Sequence, residues 1–345
     1  MLKLPQALRN RDKFYGLADS TVLSLFRFGS SLMIARLGGS ELFATYILLI
    51  TTSVIFQLLP STCFLIPLLN RGTGAAPAHY GELCQWAKRG LERAALVFFF
   101  IGFTLLLCAP NTSITLPMGV GFLCATCAQL WQQALRCRLQ MEFKQIVALY
   151  ASIVTCSLHL LVTALLWIQG VELLTAFWWG ATVAAASGSL CMRIHTQTLV
   201  HGPDESSQQL IQTARQQGSA MLRGSIANSA CSRLHPYLLG AITTPDMLAF
   251  YGVLWTLIGP VRLLSVALTN LLRPRLSLFF NQERPADFKR IYRSGLALLC
   301  AAGLVASGAA IWLGPWGIEL LFGTQLAPAS QWLSLALIYA TLDAV

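Results

Sequence analysis

The chain has 345 residues, of which 55% are hydrophobic and only 11% charged. Soluble domains carry about 25% charged residues, so a water-soluble globular protein is excluded. Disordered, collagen-like and coiled-coil chains fall as well, because they need polar, glycine-periodic or Ala/Glu/Lys-rich sequence. The formal charge of +10, from 24 Lys and Arg against 14 Asp and Glu, follows from the basic residues that cytoplasmic joints of membrane proteins collect. No basic run interleaved with aromatics accompanies it, so no nucleic-acid partner is expected.

At about 20 apolar residues per spanning helix, this length holds about ten spans. The expected fold is all-α, a polytopic transmembrane helical bundle. In chain order the apolar runs predict spans over residues 16–37, 42–69, 91–110, 114–135, 146–168, 171–192, 218–241, 246–270, 294–313 and 328–345. The first run follows a basic arm with Lys3, Arg9, Arg11 and Lys13, contains Asp19 and Arg27, and lacks a small-residue cleavage site. It reads as a retained span and not as a signal peptide.

Basic residues then recur at alternate joints: Arg71, Lys88 and Arg89, then Arg136, Arg138 and Lys144, then Arg193 and Arg215, then Arg273 to Arg293. The joints between them hold Glu41, Glu172, Asp246 and Glu319. Such alternation places the N-terminus and the basic joints in the cytoplasm. The ten cysteines lie in or beside apolar runs, where a free cysteine behaves as a small hydrophobe. The pair Cys124 and Cys127 forms a CxxC inside a predicted span and reads as packing, not as a metal or redox site.

An internal repeat is visible at an offset of 205 residues. Glu41, Ala44 and Tyr46 return as Asp246, Ala249 and Tyr251, and Ser20 and Ser24 return as Ser225 and Ser229. Two parallel copies follow, residues 1–205 as an N-terminal six-helix lobe and residues 206–345 as a C-terminal lobe of about four helices. Two full copies would need about 65 more residues, so the second lobe is expected to be incomplete.

Polar residues inside the runs are the candidate functional groups. Ser20, Ser24, Arg27 and Ser31 recur at spacings of four, three and four, which is one helix face. Asp19 lies near the cytoplasmic edge of the same helix. The seventh run repeats the device with Ser225, Ser229 and Ser232, with Asn228 beside them and Arg233 deeper. The eighth carries Arg262 just after Gly259 and Pro260. An arginine in mid-span costs at least about 2.5–3.5 kcal/mol, so these side chains avoid lipid. They either pair with Asp19 and with carbonyls, or they line a cationic, hydroxyl-rich cavity. With one acid for several cations the cavity is the preferred reading, and guanidinium forks suit phosphate or diphosphate oxygens. Asp19 is the one candidate for ion coupling.

Enzyme signatures are missing: there is no P-loop, GxGxxG after a strand, HExxH or GxSxG, and no outer joint with paired carboxylates. No catalytic residue, metal or cofactor is expected.

The turn ARLGGSELFATY (Ala35 to Tyr46), LRCRLQMEFK after the fourth run, LLGAITTPDMLAFYGVLWTLIGPVRLL (Leu238 to Leu264), LLRPRLS (Leu271 to Ser277) and ELLFG before the tenth run resemble the polysaccharide-biosynthesis flippases of the MOP superfamily. That resemblance spans nearly the whole chain and implies two lobes around a central cavity. It implies export of an isoprenoid-diphosphate-linked oligosaccharide, for O-antigen or exopolysaccharide synthesis, across a bacterial inner membrane. By the same resemblance Arg27 and Arg233 contact the diphosphate, with Ser24, Asn228 and Arg262 nearby. Its implied partners are the lipid-linked oligosaccharide, membrane lipids and other polysaccharide-biosynthesis proteins, with the transporter itself a monomer. Members normally have twelve or more helices, so this chain reads as C-terminally truncated. Three alternatives stand beside the flippase: a multidrug antiporter of the same superfamily, a polytopic polysaccharide polymerase or ligase, and an inactive truncated paralogue.

Overall fold

A computed structural model of the chain describes residues 6–72, 77–108, 114–142, 144–196, 205–259 and 285–344. Every element among them is helical. The first, α1 (Gln6–Pro60), covers two predicted spans in one helical assignment, and Gly39 divides it with φ +73° and ψ −175°. Only glycine adopts that φ without strain, and the chain doubles back there: Ser31 before the turn and Tyr46 after it bring their hydroxyls within 3.4 Å. After Pro60 the helix widens into one π-helical turn, Ser61–Leu65, and continues as α2 (Ile66–Gly72).

The next four helices are α3 (Pro77–Cys108), α4 (Leu116–Met141), α5 (Gln145–Ile168) and α6 (Leu173–His195). The seventh predicted span, 218–241, does not form one helix. α7 (Glu205–Arg233) ends before Leu234, and α8 (His235–Ile242) restarts after it. Pro236 explains the break, because proline has no N–H to give and is tolerated only in a first helical turn. A helix over 245–259, α9, follows, and the rest of the eighth predicted span lies outside the described residues. α10 (Pro285–Phe322) runs well beyond the predicted 294–313, a 3-10 turn spans Thr324–Ala329, and α11 is Ser330–Ala344.

Five stretches of the described residues are long and apolar enough to cross a membrane: Phe14–Arg71, Tyr80–Cys108, Gln145–Ile168, Leu173–His195 and Ala286–Phe322. The first has 58 residues, far more than the ~20 that one crossing uses; with the reversal at Gly39 it supplies two. This is a multi-pass helical-bundle membrane protein.

The chain forms two compact units. One comprises Met1–Phe26 and Leu48–Leu238, the other Arg27–Ile47 and Leu239–Val345. In the first, α4, α5 and α6 pack closely because α6 presents small residues: Gly180, Ala184 and Gly188 recur every fourth position. A Cβ on Gly188 would lie 2.1 Å from Thr155 Oγ1 and 2.6 Å from Gln132 Nε2, two atoms that hydrogen-bond each other at 2.8 Å. A second cluster, with Leu83, Leu91, Leu130 and Ala214 at its centre, joins α3, α4 and α7.

In the second unit the turn at Gly39 packs on the later helices. Phe43 is fully buried and its ring centroid lies 6.4 Å from that of Phe322. Arg36 donates to the carbonyl of Leu320 in the last turn of α10, where a cation complements the helix dipole. Ile47 lies against Gly252, whose Cβ, if present, would be 2.5 Å from Ile47 Cγ1. Residues 47 and 252 are 205 positions apart, the offset at which the sequence matches fall.

Gly188→Val is expected to destabilise the protein by about 1–3 kcal/mol through overpacking and loss of the Gln132–Thr155 bond. Gly308→Val, at an open and exposed helical site, is expected to change little. Thermal unfolding of the two variants in detergent separates these outcomes.

Candidate functional site

The polar residues of the first unit converge on α4. Thr126, Gln129, Gln133 and Arg136 follow one another at spacings of three, four and three, so they share one face. At one end of this stripe Arg136 Nη1 lies 2.9 Å from Asp19 Oδ2. Ser152 of α5 donates to the other carboxylate oxygen of Asp19 and accepts from Arg136. The pair is nearly removed from solvent, with side-chain exposures of 13% and 10%. Charges in such surroundings persist when paired and hydrogen-bonded, and this triad meets that condition.

Further along the stripe the partners are amides and hydroxyls. Gln57 Nε2 donates to Ser53 Oγ (2.9 Å) and to Gln129 Oε1 (2.8 Å), and Gln133 Nε2 donates to Gln57 Oε1 (2.6 Å). Thr126 donates to Ser53 (3.1 Å), Ser61 to Gln133 Oε1 (3.1 Å), and Thr62 to Ser225 Oγ of α7 (3.2 Å). The result is an uncharged polar seam joining α1, α4 and α7, continuous with the ion pair.

Asp19 is therefore committed to Arg136, not to Arg27 or Arg233. Among the described residues no acid pairs with Arg27, which is exposed. The hydroxyls on its face are satisfied by their own helix: Ser20 donates to the carbonyl of Gly16 (3.0 Å), Ser24 to that of Ser20 (2.8 Å) and Ser31 to that of Arg27 (3.0 Å). Back-bonding of this kind removes the cost of a hydroxyl in a span, so the stripe can exist without a ligand. Arg27 and Ser31 belong to the second unit, Ser20 and Ser24 to the first.

On α7, Asn228 is exposed, and Ser229 is buried with no hydrogen-bond partner for its hydroxyl among the described residues. Arg233 is half-buried in the last turn of α7, where the open carbonyls at the interruption favour a cation. Arg262, the side chain of Ser232 and the LLRPRLS segment lie outside the described residues.

Sequence reasoning missed two features. The glutamine seam had a signal, three glutamines at positions 129, 132 and 133 inside an apolar run. His159 had none: it is buried on α5, its Nε2 is 3.0 Å from the carbonyl oxygen of Phe177, and its ring lies between those of Phe26 and Phe177 at 5.0 and 4.5 Å. That is a packing role. Cys127 lies 3.5 Å from the carbonyl oxygen of Ala95, in keeping with packing for the CxxC.

No protein-family model and no curated protein matches the chain by sequence. Solved structures match it by shape. An inward-facing multidrug resistance MATE family transporter of the MOP superfamily superposes with a TM-score of 0.71 at 10% identity, covering 95% of this chain and 82% of that one. The fold is that of the MOP-superfamily transporters. The Vibrio cholerae MATE transporter VcmN in its bent form gives a TM-score of 0.62 at 14% identity over 98% of this chain and 83% of its own. A MOP superfamily transporter from Pyrococcus furiosus, described as having a binding pocket of reverse polarity and a different function, gives 0.63 at 11% identity, over 98% and 79%.

Within this MOP-type fold, Asp19→Ala is expected to leave Arg136 buried and uncompensated, at a cost of about 3–5 kcal/mol. The double variant Asp19→Leu/Arg136→Met should recover most of that loss. Thermal unfolding of the detergent-solubilised single and double variants measures the coupling.

Proposed function

We propose that this chain is a flippase that moves an isoprenoid-diphosphate-linked oligosaccharide from the inner to the outer leaflet by alternating access, and that it is not an enzyme. One observation carries this reading. The intramembrane acid Asp19 is neutralised by Arg136, whereas Arg27, eight residues further along the same helix, has no acid against it among the described residues. Among the described residues of the first helix, Arg27 is thus a cation with no acid against it, which suits an anionic cargo. A diphosphate carried through hydrocarbon without such groups would face a solvation cost of tens of kcal/mol. Guanidinium groups replace that solvation with bidentate hydrogen bonds.

In this reading Arg27 and Arg233 contact the diphosphate during the cycle. Arg233 sits at an interrupted helix, the kind of element transporters use to present ligands at mid-membrane depth. Ser24 and Asn228 are further candidate contacts of the cargo, as is Arg262, which lies outside the described residues. The two sequence repeats, 1–205 and 206–345, are the two lobes of this proposal, with α7 of the second packed on α3 and α4 of the first. We place the protein in a bacterial inner membrane as a monomer, with its N-terminus cytoplasmic, in contact with polysaccharide-biosynthesis proteins.

A second reading, a multidrug antiporter, is favoured by the MATE transporters among the similar structures. Such a carrier needs a free intramembrane carboxylate for organic cations, and the ion pair with Arg136 occupies Asp19.

Arg27→Ala and Arg233→Ala are each expected to lower surface glycan by about ten- to a hundredfold, the effect of losing one charge-assisted hydrogen-bond pair, at unchanged protein abundance. Glycan blots and membrane immunoblots of complemented deletion cells test this. Normal glycan with stable variant protein, together with drug sensitivity on deletion, would replace the flippase by the antiporter.

A further inference from the structure

A cavity of about 880 Å³ lies in the first unit between α3, α7 and the π-helical turn, and neither Arg27 nor Arg233 lines it. Arg89 and Arg93 of α3 and Arg215 of α7 line it, with Gln208 and Gln212 beside them and one acid, Glu82, in the wall. All three arginines are exposed and none pairs with an acid among the described residues; Glu92 is taken by Lys88 at 3.9 Å. The floor is apolar. Phe64 and Trp86 meet edge to face at 5.4 Å, and Phe64 crosses α3 at Gly90, where a Cβ would lie 2.3 Å from its ring.

The charge continues into a hydrocarbon-facing rail. Arg89, Arg93, Leu96 and Phe100 recur at spacings of four, three and four, one face of α3. Leu96, Val97, Phe100 and Ile101 are 57–64% exposed, and only 6% of the apolar window of this span is buried in the protein. Inorganic phosphate uses the arginines alone. A phospholipid uses both, its phosphate on the guanidinium groups and its acyl chains along the rail.

We propose that this cavity is a binding site for the headgroup of an anionic phospholipid, such as phosphatidylglycerol or cardiolipin, drawn from the cytoplasmic leaflet. Basic pockets between spanning helices on that side recognise such headgroups, and the charge alternation of the joints assigns this end of α3 to it. Its arginines, Arg89, Arg93 and Arg215, are other residues than those proposed to contact the transported diphosphate.

The test is native mass spectrometry and thermal unfolding of the full chain in mild detergent, titrated with phosphatidylglycerol, phosphatidylcholine or inorganic phosphate. Phosphatidylglycerol should bind and raise Tm, and the other two should not. Arg89→Gln, Arg93→Gln and Arg215→Gln should each weaken binding about fivefold, and all three together about a hundredfold, while Arg27→Gln leaves it unchanged. Equal binding of phosphatidylcholine, or equal stabilisation by inorganic phosphate, overturns the proposal in the wild-type protein, with no need for a variant to fold. Retained phosphatidylglycerol binding in a folded triple variant overturns it as well.

Discussion

Hydrocarbon offers a polar group no hydrogen-bond partner, and the arrangement of this chain depends on that constraint. A spanning backbone must satisfy its own N–H and C=O groups, which leaves helices as the available element for a chain of this composition. The same demand then falls on side chains. Serines and threonines along α1, α4 and α5 answer it by donating to the carbonyl four residues back, and this costs no tertiary contact. Gln57, Gln129 and Gln133 answer to one another across α1 and α4, with Gln57 also donating to Ser53 of its own helix.

Charges meet the constraint most strictly. Asp19 and Arg136 cancel, with Ser152 bridging them, and their mutual neutralisation changes what the remaining polar groups can do. A free carboxylate in that position would attract cations. Once it is paired with Arg136, it is neutralised. What that carboxylate can do is thus decided by the residue it pairs with, not by a count of charges along the chain.

Packing follows a parallel logic. Where the outside solvent is as apolar as leucine, burying leucine gains little, and close approach of helices relies on small residues. Gly180, Ala184 and Gly188 let α6 sit against α4 and α5. Gly252 lets its helix approach Ile47 closely. Large apolar side chains are left free to face lipid, as along α3, where the exposed rail rises directly from a pair of arginines.

Hydropathy and backbone permissiveness are local properties, and what they govern was legible in the residues themselves: an all-helical membrane bundle whose first two spans are parted beside the Gly38-Gly39 pair. The interruption at Leu234 was legible too, through Pro236, although a continuous span was expected across it. Side-chain pairing across helices was not. Asp19 and Arg136 lie 117 positions apart, and by sequence Arg136 read as a residue of a cytoplasmic joint while Arg27 and Arg233 were the partners considered for Asp19. Which one bonds the acid depends on how α1, α4 and α5 rotate about their axes, and that rotation is set by glycine contacts and amide bonds from several helices at once. Sequence therefore determined which groups must find partners inside the membrane. Only the tertiary structure decided which partners they found, because a hydrogen bond needs atoms within about 3 Å and a hydropathy pattern carries no distances between helices.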